Sequence, residues 1–258
     1  MTGRLFRALA VVSTLASSAV MAQETEAAAT APASAEKSGL EVSLAVGFQA
    51  GAGYVYKNGL RLDGQVGDVK LSDTANGGLV LAADLGYRIN DHWFVGAFGQ
   101  YSKVLVKNNP YSCPDGYDCS TNQIRLGPQV QYHFSPKASF DPWVGLGFGI
   151  VLLSSKIEGP LSIPTPAGTL TGHLAIDSKL RGPEYVSLTV GGKWNFGDNF
   201  AFGPYLNGTY ARYTVRAGTT TVTLPPELGG TSTTSDLGPV DDGPYGLIIL
   251  GVRGTFTL

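Results

Sequence analysis

The chain has few of the features by which most proteins announce a function. Only 15% of its 258 residues are charged, and the net charge is −2. It therefore lacks the basic excess that a nucleic-acid surface requires, and no nucleic-acid partner is expected. No stretch after the first 22 residues approaches the ~18 uninterrupted apolar residues of a membrane helix. There are two cysteines and three histidines, none of the histidines within ten residues of either cysteine, so a structural zinc site is excluded. No glycine-rich turn joins a strand to a helix in the way a phosphate cradle demands, so a nucleotide site is not indicated. The abundance of 35 Gly and 15 Pro works against long helices. No metal or cofactor is expected.

The N-terminus has the form of an export signal. Arg4 and Arg7 precede an apolar stretch from Leu9 to Ala16, and Val20-Met21-Ala22 approximates a cleavage site. Residues 1–22 are read as a signal peptide. Losing Arg4 and Arg7 from the 18 basic residues, with all 20 acidic ones kept, takes the net charge from −2 to −4. Residues 23–39, rich in Ala, Thr, Pro, Ser and Glu without periodicity, read as a disordered periplasmic spacer. In an exported chain the closely spaced Cys113 and Cys119 are expected to form a disulfide that stiffens an exposed tip.

From Leu40 onward apolar and polar residues alternate with period two, the strand signature. The clearest case is Gln123 to Phe134. Ile124, Leu126, Val130, Tyr132 and Phe134 share one face, while Gln123, Arg125, Gly127, Gln129, Gln131 and His133 share the other. The polar face is too wet for the dry core of a sandwich. It also disfavours a secreted lipocalin-like carrier, whose cavity it would line with Gln and Arg. Behind an export signal, the pattern points to a barrel with its apolar face outward, toward lipid.

Eight such segments are predicted, beginning near Leu40, Leu79, Trp93, Gln123, Pro142, residue 185, Phe200 and Tyr245. The fold class is all-β: an eight-stranded antiparallel transmembrane up-and-down β-barrel filling residues 40–258. The facing of the third segment is left open, because both of its faces carry aromatics. Short turns near residues 90, 138 and 198 alternate with long connections at 57–78, 107–122, 154–184 and 216–244, which places the short side in the periplasm. Within 154–184 the chain is expected to extend as a hairpin with its tip at Pro164–Gly168. Two aromatic belts are predicted. One contains Trp93, Trp143, Trp194, Phe134, Phe140, Phe196 and Phe200; the other contains Tyr54, Tyr56, Tyr101, Tyr210 and Tyr245. Pro128 and Pro204 lie inside strands and predict a bulge at each.

These features, with Leu85-Gly86-Tyr87-Arg88-Ile89-Asn90-Asp91, Asp141-Pro142-Trp143-Val144-Gly145-Leu146-Gly147 and the closing Gly251 to Leu258, resemble the small eight-stranded outer-membrane proteins of Gram-negative bacteria, of the OmpA-barrel, OmpX and OmpW type. The resemblance covers about residues 40–258. It implies residence in the outer membrane, contact with outer-membrane lipid, and a C-terminal signal at Phe256 and Leu258 read by the outer-membrane assembly machinery. It also implies possible surface ligands through the long loops.

Alternation sends Glu41, Asp84, Arg88, Arg125, His133, Lys193 and Arg253 into the lumen. Glu41 and Arg253 are expected side by side, with Arg88 near. Eight strands leave little more than side-chain room, so these groups read as a salt-bridged plug. The alternative is a narrow channel for small hydrophobic solutes, as the OmpW type implies, or for anions, since four bases outnumber two acids. The glycine rows Gly47, Gly51, Gly53 and Gly145, Gly147, Gly149 favour open space. Catalysis is not expected: the one triad candidate, His173 with Asp177 and Ser178, is read as solvated loop. Asp115 with Asp118, and Asp236 with Asp241 and Asp242, lack the ordered spacing of a calcium loop and are read as solvated charge.

Overall fold

The computed structural model describes residues 38–61, 65–110, 112–166, 168–197 and 199–258. The expected signal peptide and most of the spacer lie outside the described residues; Gly39, assigned to the spacer, already opens a strand. Eleven strands form among the described residues: β1 (Gly39–Leu60), β2 (Val66–Lys70), β3 (Ala75–Arg88), β4 (Trp93–Val106), β5 (Asp118–His133), β6 (Phe140–Thr165), β7 (Gly168–Phe196), β8 (Phe200–Tyr213), β9 (Val215–Thr223), β10 (Ser232–Asp236) and β11 (Gly243–Thr257). A single helical turn, α1 (Leu71–Thr74), joins β2 to β3.

Eight of the strands close a ring of antiparallel ladders in the order β1-β3-β4-β5-β6-β7-β8-β11. The seam is long: β1 pairs β11 from Glu41 opposite Thr257 to Gly53 opposite Tyr245. Closure satisfies the backbone groups within the ring, which is what an apolar surround demands. At the long-loop end β1 folds back on β2, β6 and β7 run on as the expected hairpin, and β9 and β10 add to the free edge of β7.

The outer face is apolar along its length. Leu44, Leu81, Leu146 and Leu250 are 65, 60, 52 and 65% exposed, while the inward Ser43, Gln131 and Arg125 are buried. Water would not tolerate a surface of that extent; lipid favours it. The undecided strand β4 turns Trp93, Val95 and Tyr101 outward and Phe94, Gln100 and Ser102 inward. At the short-turn end Trp93, Trp194, Phe134, Phe140 and Phe196 face out, and ring contacts such as Phe140–Trp194 at 5.1 Å link neighbours. The other belt consists of Tyr101, Tyr185 and Tyr210. Trp143 and Tyr245 do not belong to the belts. Both occupy inward positions of their strands, at 4 and 2% exposure. Tyr56 turns inward as well, and the Arg216 guanidinium lies over its ring.

Neither strand proline produces a bulge. Pro128 keeps register opposite Ala97 of β4, and Pro204 opposite Val252 of β11. The ladder merely skips two pairs on the other side of each, toward β6 and β7 respectively, where the missing N–H would have pointed. Each proline follows a glycine, and a Cβ on Gly127 or Gly203 would collide with the carbonyl of Phe148 or Gly192. The Gly-Pro pair lets strands close up where one hydrogen bond is lost. The bulge lies instead at Tyr185, where β7 slips one residue against both β6 and β8 and turns Tyr185 and Val186 outward together.

Candidate functional site

All seven residues expected in the lumen face it and are buried. Their pairing differs from expectation. Glu41 lies opposite Thr257 and binds Arg88, whose Nη2 is 2.6 Å from its Oε2, with Nε at 2.8 Å. Arg253 is paired across the seam with Ala45 instead, so its guanidinium reaches Asp84 at 3.1 Å and Ser43 at 2.8 Å, and lies over the Trp143 ring at 4.8 Å. Stagger along the seam separates the two residues that alternation alone would set side by side.

His133 extends the first pair. Its Nε2 is 3.2 Å from Arg88 Nη2 and its Nδ1 is 2.7 Å from Asp141 Oδ2. Arginine donates only, so Nε2 accepts and the proton on Nδ1 is given to Asp141. Asp141, assigned by sequence to a turn, therefore completes a buried chain of four groups. A second missed acid stands higher in the lumen. Glu184 accepts from Arg125 Nη2 at 2.6 Å and from its Nε at 2.7 Å, a two-pronged pair with both side chains almost fully buried. Arg125 also donates to Gln100 at 2.9 Å and to Thr209.

With these additions Glu41, Asp84, Asp141 and Glu184 balance Arg88, Arg125, Lys193 and Arg253. The excess of base that favoured anions disappears. Of the glycine rows, Gly51 lines open space higher in the lumen, whereas Gly47 and Gly147 are met by the side chains of Tyr205 and Phe98. The Trp143 indole occupies the place a Cβ on Gly191 would take, 2.6 Å away, and Tyr205 lies across Gly47 and Gly251. Glycine here makes room for a neighbour's ring. The cavities lined by Glu41, His133 and Lys193, by Arg88 and Asp141, and by Asp84, Arg125 and Arg253 are about 50 Å³ or smaller.

Above Arg125 the chemistry changes. Gln49, Gln100, Ser102 and Gln123 form an amide layer, with Ser102 Oγ donating to Gln49 at 3.0 Å and Gln123 Nε2 to the Tyr213 hydroxyl at 2.9 Å. Tyr213 stacks on Tyr245 at 4.6 Å. Beyond them Val55, Val69, Val151, Leu153, Leu180 and Leu247 make an apolar core around a cavity of about 550 Å³. Sequence reasoning missed this chamber because part of its wall, including Val69, Leu174, Ile176 and Leu180, belongs to segments counted as loops.

The long-loop end carries the disulfide, Cys113–Cys119. On the hairpin extension Lys156 and Glu158 pair at 2.9 Å. Each one's hydrogen bond and charge hold the other ionised, Glu158 below the ordinary carboxylate range and Lys156 above the ordinary amine range. His173 and Ser178 fall on opposite faces of β7, Ser178 lining the cavity, so the triad candidate is not assembled. Asp242 pairs Arg212 at 3.1 Å and Asp241 accepts from Asn58 at 2.7 Å. Among the described residues no group of three metal-ligating side chains converges.

A family model for the outer membrane protein beta-barrel domain matches residues 8–239. No curated protein matches the chain in sequence. Similar solved structures include the outer membrane protein OprG from Pseudomonas aeruginosa, at 16% identity and TM-score 0.43, covering 86% of this chain and 98% of that one. A major outer membrane protein from Thermus thermophilus is similar at 15% identity and TM-score 0.48, covering 84% and 99%. The attachment invasion locus protein Ail of Yersinia pestis is similar at 12% identity and TM-score 0.35, covering 86% and 100%.

Proposed function

This chain belongs to the outer membrane protein beta-barrel family, and on that premise we propose that it is a closed barrel with a structural or surface-interaction role. Its location is the bacterial outer membrane. The observation that carries the reading is the polar plug. Ion pairs Glu41–Arg88, Asp84–Arg253 and Glu184–Arg125 join strands one or two places apart on the lumen wall below the amide layer, and the cavities between them, about 50 Å³ or less, have room for a few waters rather than a path. A solute would have to part several charge-assisted hydrogen bonds at once. The channel alternative is disfavoured on the same ground: an anion would meet as many acids as bases, and a hydrophobic solute would meet the charged plug below the apolar cavity.

The role then falls to the part that projects beyond the membrane: the β6–β7 hairpin, the β9–β10 pair and the disulfide-bonded tip, all on the long-loop side. The reading is non-enzymatic, since His173, Asp177 and Ser178 do not converge. Phe256 and Leu258, 52 and 74% exposed on the outer wall, suit recognition by the assembly machinery. Single-channel recording in planar bilayers tests closure. The purified protein should leave the membrane silent, and discrete, reproducible steps would reject the plug.

A further inference from the structure

We propose that the chamber in the extracellular half is a binding site for a single-chain anionic amphiphile, its tail held by the apolar walls and its head by Arg216. The inference does not depend on closure of the lumen below. The cavity, about 550 Å³, lies within the range of sites that bury small ligands. Its walls include Val69, Leu153, Ile176, Leu180 and Leu247, drawn from β2, β6, β7 and β11, so it is apolar on several sides. The amide layer with Gln49, Gln123 and Tyr213 forms its floor and separates it from the plug.

Arg216 is built into this apolar wall. Arg216 stands opposite Leu180 in the β7–β9 ladder, which turns it inward. Its guanidinium lies 5.0 Å above the Tyr56 ring, which fixes its direction without using its hydrogen-bond donors. Its Nε is buried and has no acceptor among the described residues. Arg61 and the exposed Asp236 also line the cavity. Arg216 thus lines the cavity with an N–H that has no acceptor, and a carboxylate is the acceptor whose geometry matches a guanidinium fork. A tail then fills the remaining volume; about eight to twelve carbons fit a cavity of this class.

The test places the folded protein in lipid nanodiscs with ¹³C-labelled leucine methyls and titrates octanoate, with octan-1-ol as the uncharged comparator. Octanoate should move the Leu153 and Leu180 methyls saturably. The lipid-facing Leu188 and Leu206 report partition into the bilayer and should stay still. Binding of octanoate should be at least tenfold tighter than that of octan-1-ol, and Arg216→Gln should remove that difference while leaving octan-1-ol unaffected. Leu153→Trp, which fills the chamber, should abolish both. Shifts that appear equally at Leu188 and Leu206 without saturation, or an octanoate affinity unchanged in Arg216→Gln, would overturn the proposal. Because Arg216→Gln alters a partly exposed side chain on an added strand, its result stands even if Leu153→Trp fails to fold.

Discussion

Below the amide layer the lumen is filled by four acids, four bases and His133, packed across the barrel; above it, by valines, leucines and two stacked tyrosines around open space. The same strands build both halves, so the difference is one of geometry. In the lower half the closed ring of eight holds opposite walls within side-chain reach. Long arginines can then reach carboxylates beyond the neighbouring strand, as Arg125 on β5 reaches past β6 to Glu184 on β7. In the upper half β2 and β9 pair with β1 and β7 outside the ring of eight, and the side chains enclose a cavity of about 550 Å³ instead of filling it. Apolar residues make up most of its wall, with Arg61, Arg216 and Asp236 as charged exceptions. On the proposed reading the lower half supplies rigidity and a seal, and the upper half a chamber.

The contrast is broken most sharply at Arg125. Arg125→Met leaves Glu184 buried without a partner and should cost about 3–5 kcal/mol. The measurement is urea unfolding of the protein refolded into lipid vesicles. Adding Glu184→Leu should restore most of the loss, because replacing a buried pair together is far less costly than orphaning one member. A single-mutant effect below about 1 kcal/mol, the scale of an exposed pair, would mean that the plug is wet and does not seal.

In the apolar half the matching change should be milder. Leu180→Ala removes packing, but one side of Leu180 already faces the chamber, so the loss should lie near ~2 kcal/mol, the low end for such truncations. A cost above that of Arg125→Met would reverse the assignment of rigidity to the lower half. Milder still is loss of the disulfide. Cys113→Ser with Cys119→Ser frees a loop at the tip, away from the ring, and should speed proteolysis between residues 107 and 117. The barrel should still resist SDS until boiled.

Much of the lower half was legible from alternation alone, because period two does not depend on which strands are neighbours. It sent Arg125, His133 and Arg253 inward with no knowledge of pairing. Partners were not legible, since they depend on stagger. Arg253 meets Asp84 rather than Glu41 because the seam offsets it to Ala45. Asp141 was hidden behind Pro142 in an apparent turn, although it is two residues before the inward Trp143 and shares its phase. Glu184 was hidden by the bulge at Tyr185. Below the bulge odd-numbered residues of β7 face in (Ser187, Lys193); above it even-numbered ones do (Glu184, Leu180). That same phase flip concealed the chamber, since Leu174, Ile176 and Leu180 read as lipid-facing or loop until the slip is known.

The smallest effect belongs to the outermost charges and sets the scale for the rest. Lys156 and Glu158 lie at the base of the hairpin, where water surrounds both. Glu158 is held below its ordinary range, so the pair favours the folded hairpin above that range and loses the benefit as pH falls through it. Lys156 is held above its own range, so the benefit also fades as pH rises through it. Solvent screening keeps the sum negligible. Glu158→Gln should therefore leave the urea midpoint unchanged. It should still let Lys156 titrate closer to its ordinary value, which ¹⁵N or ¹³Cε shifts of that lysine would follow. A marked drop in the midpoint would show that ionic contacts beyond the membrane carry the stability assigned here to those buried inside it.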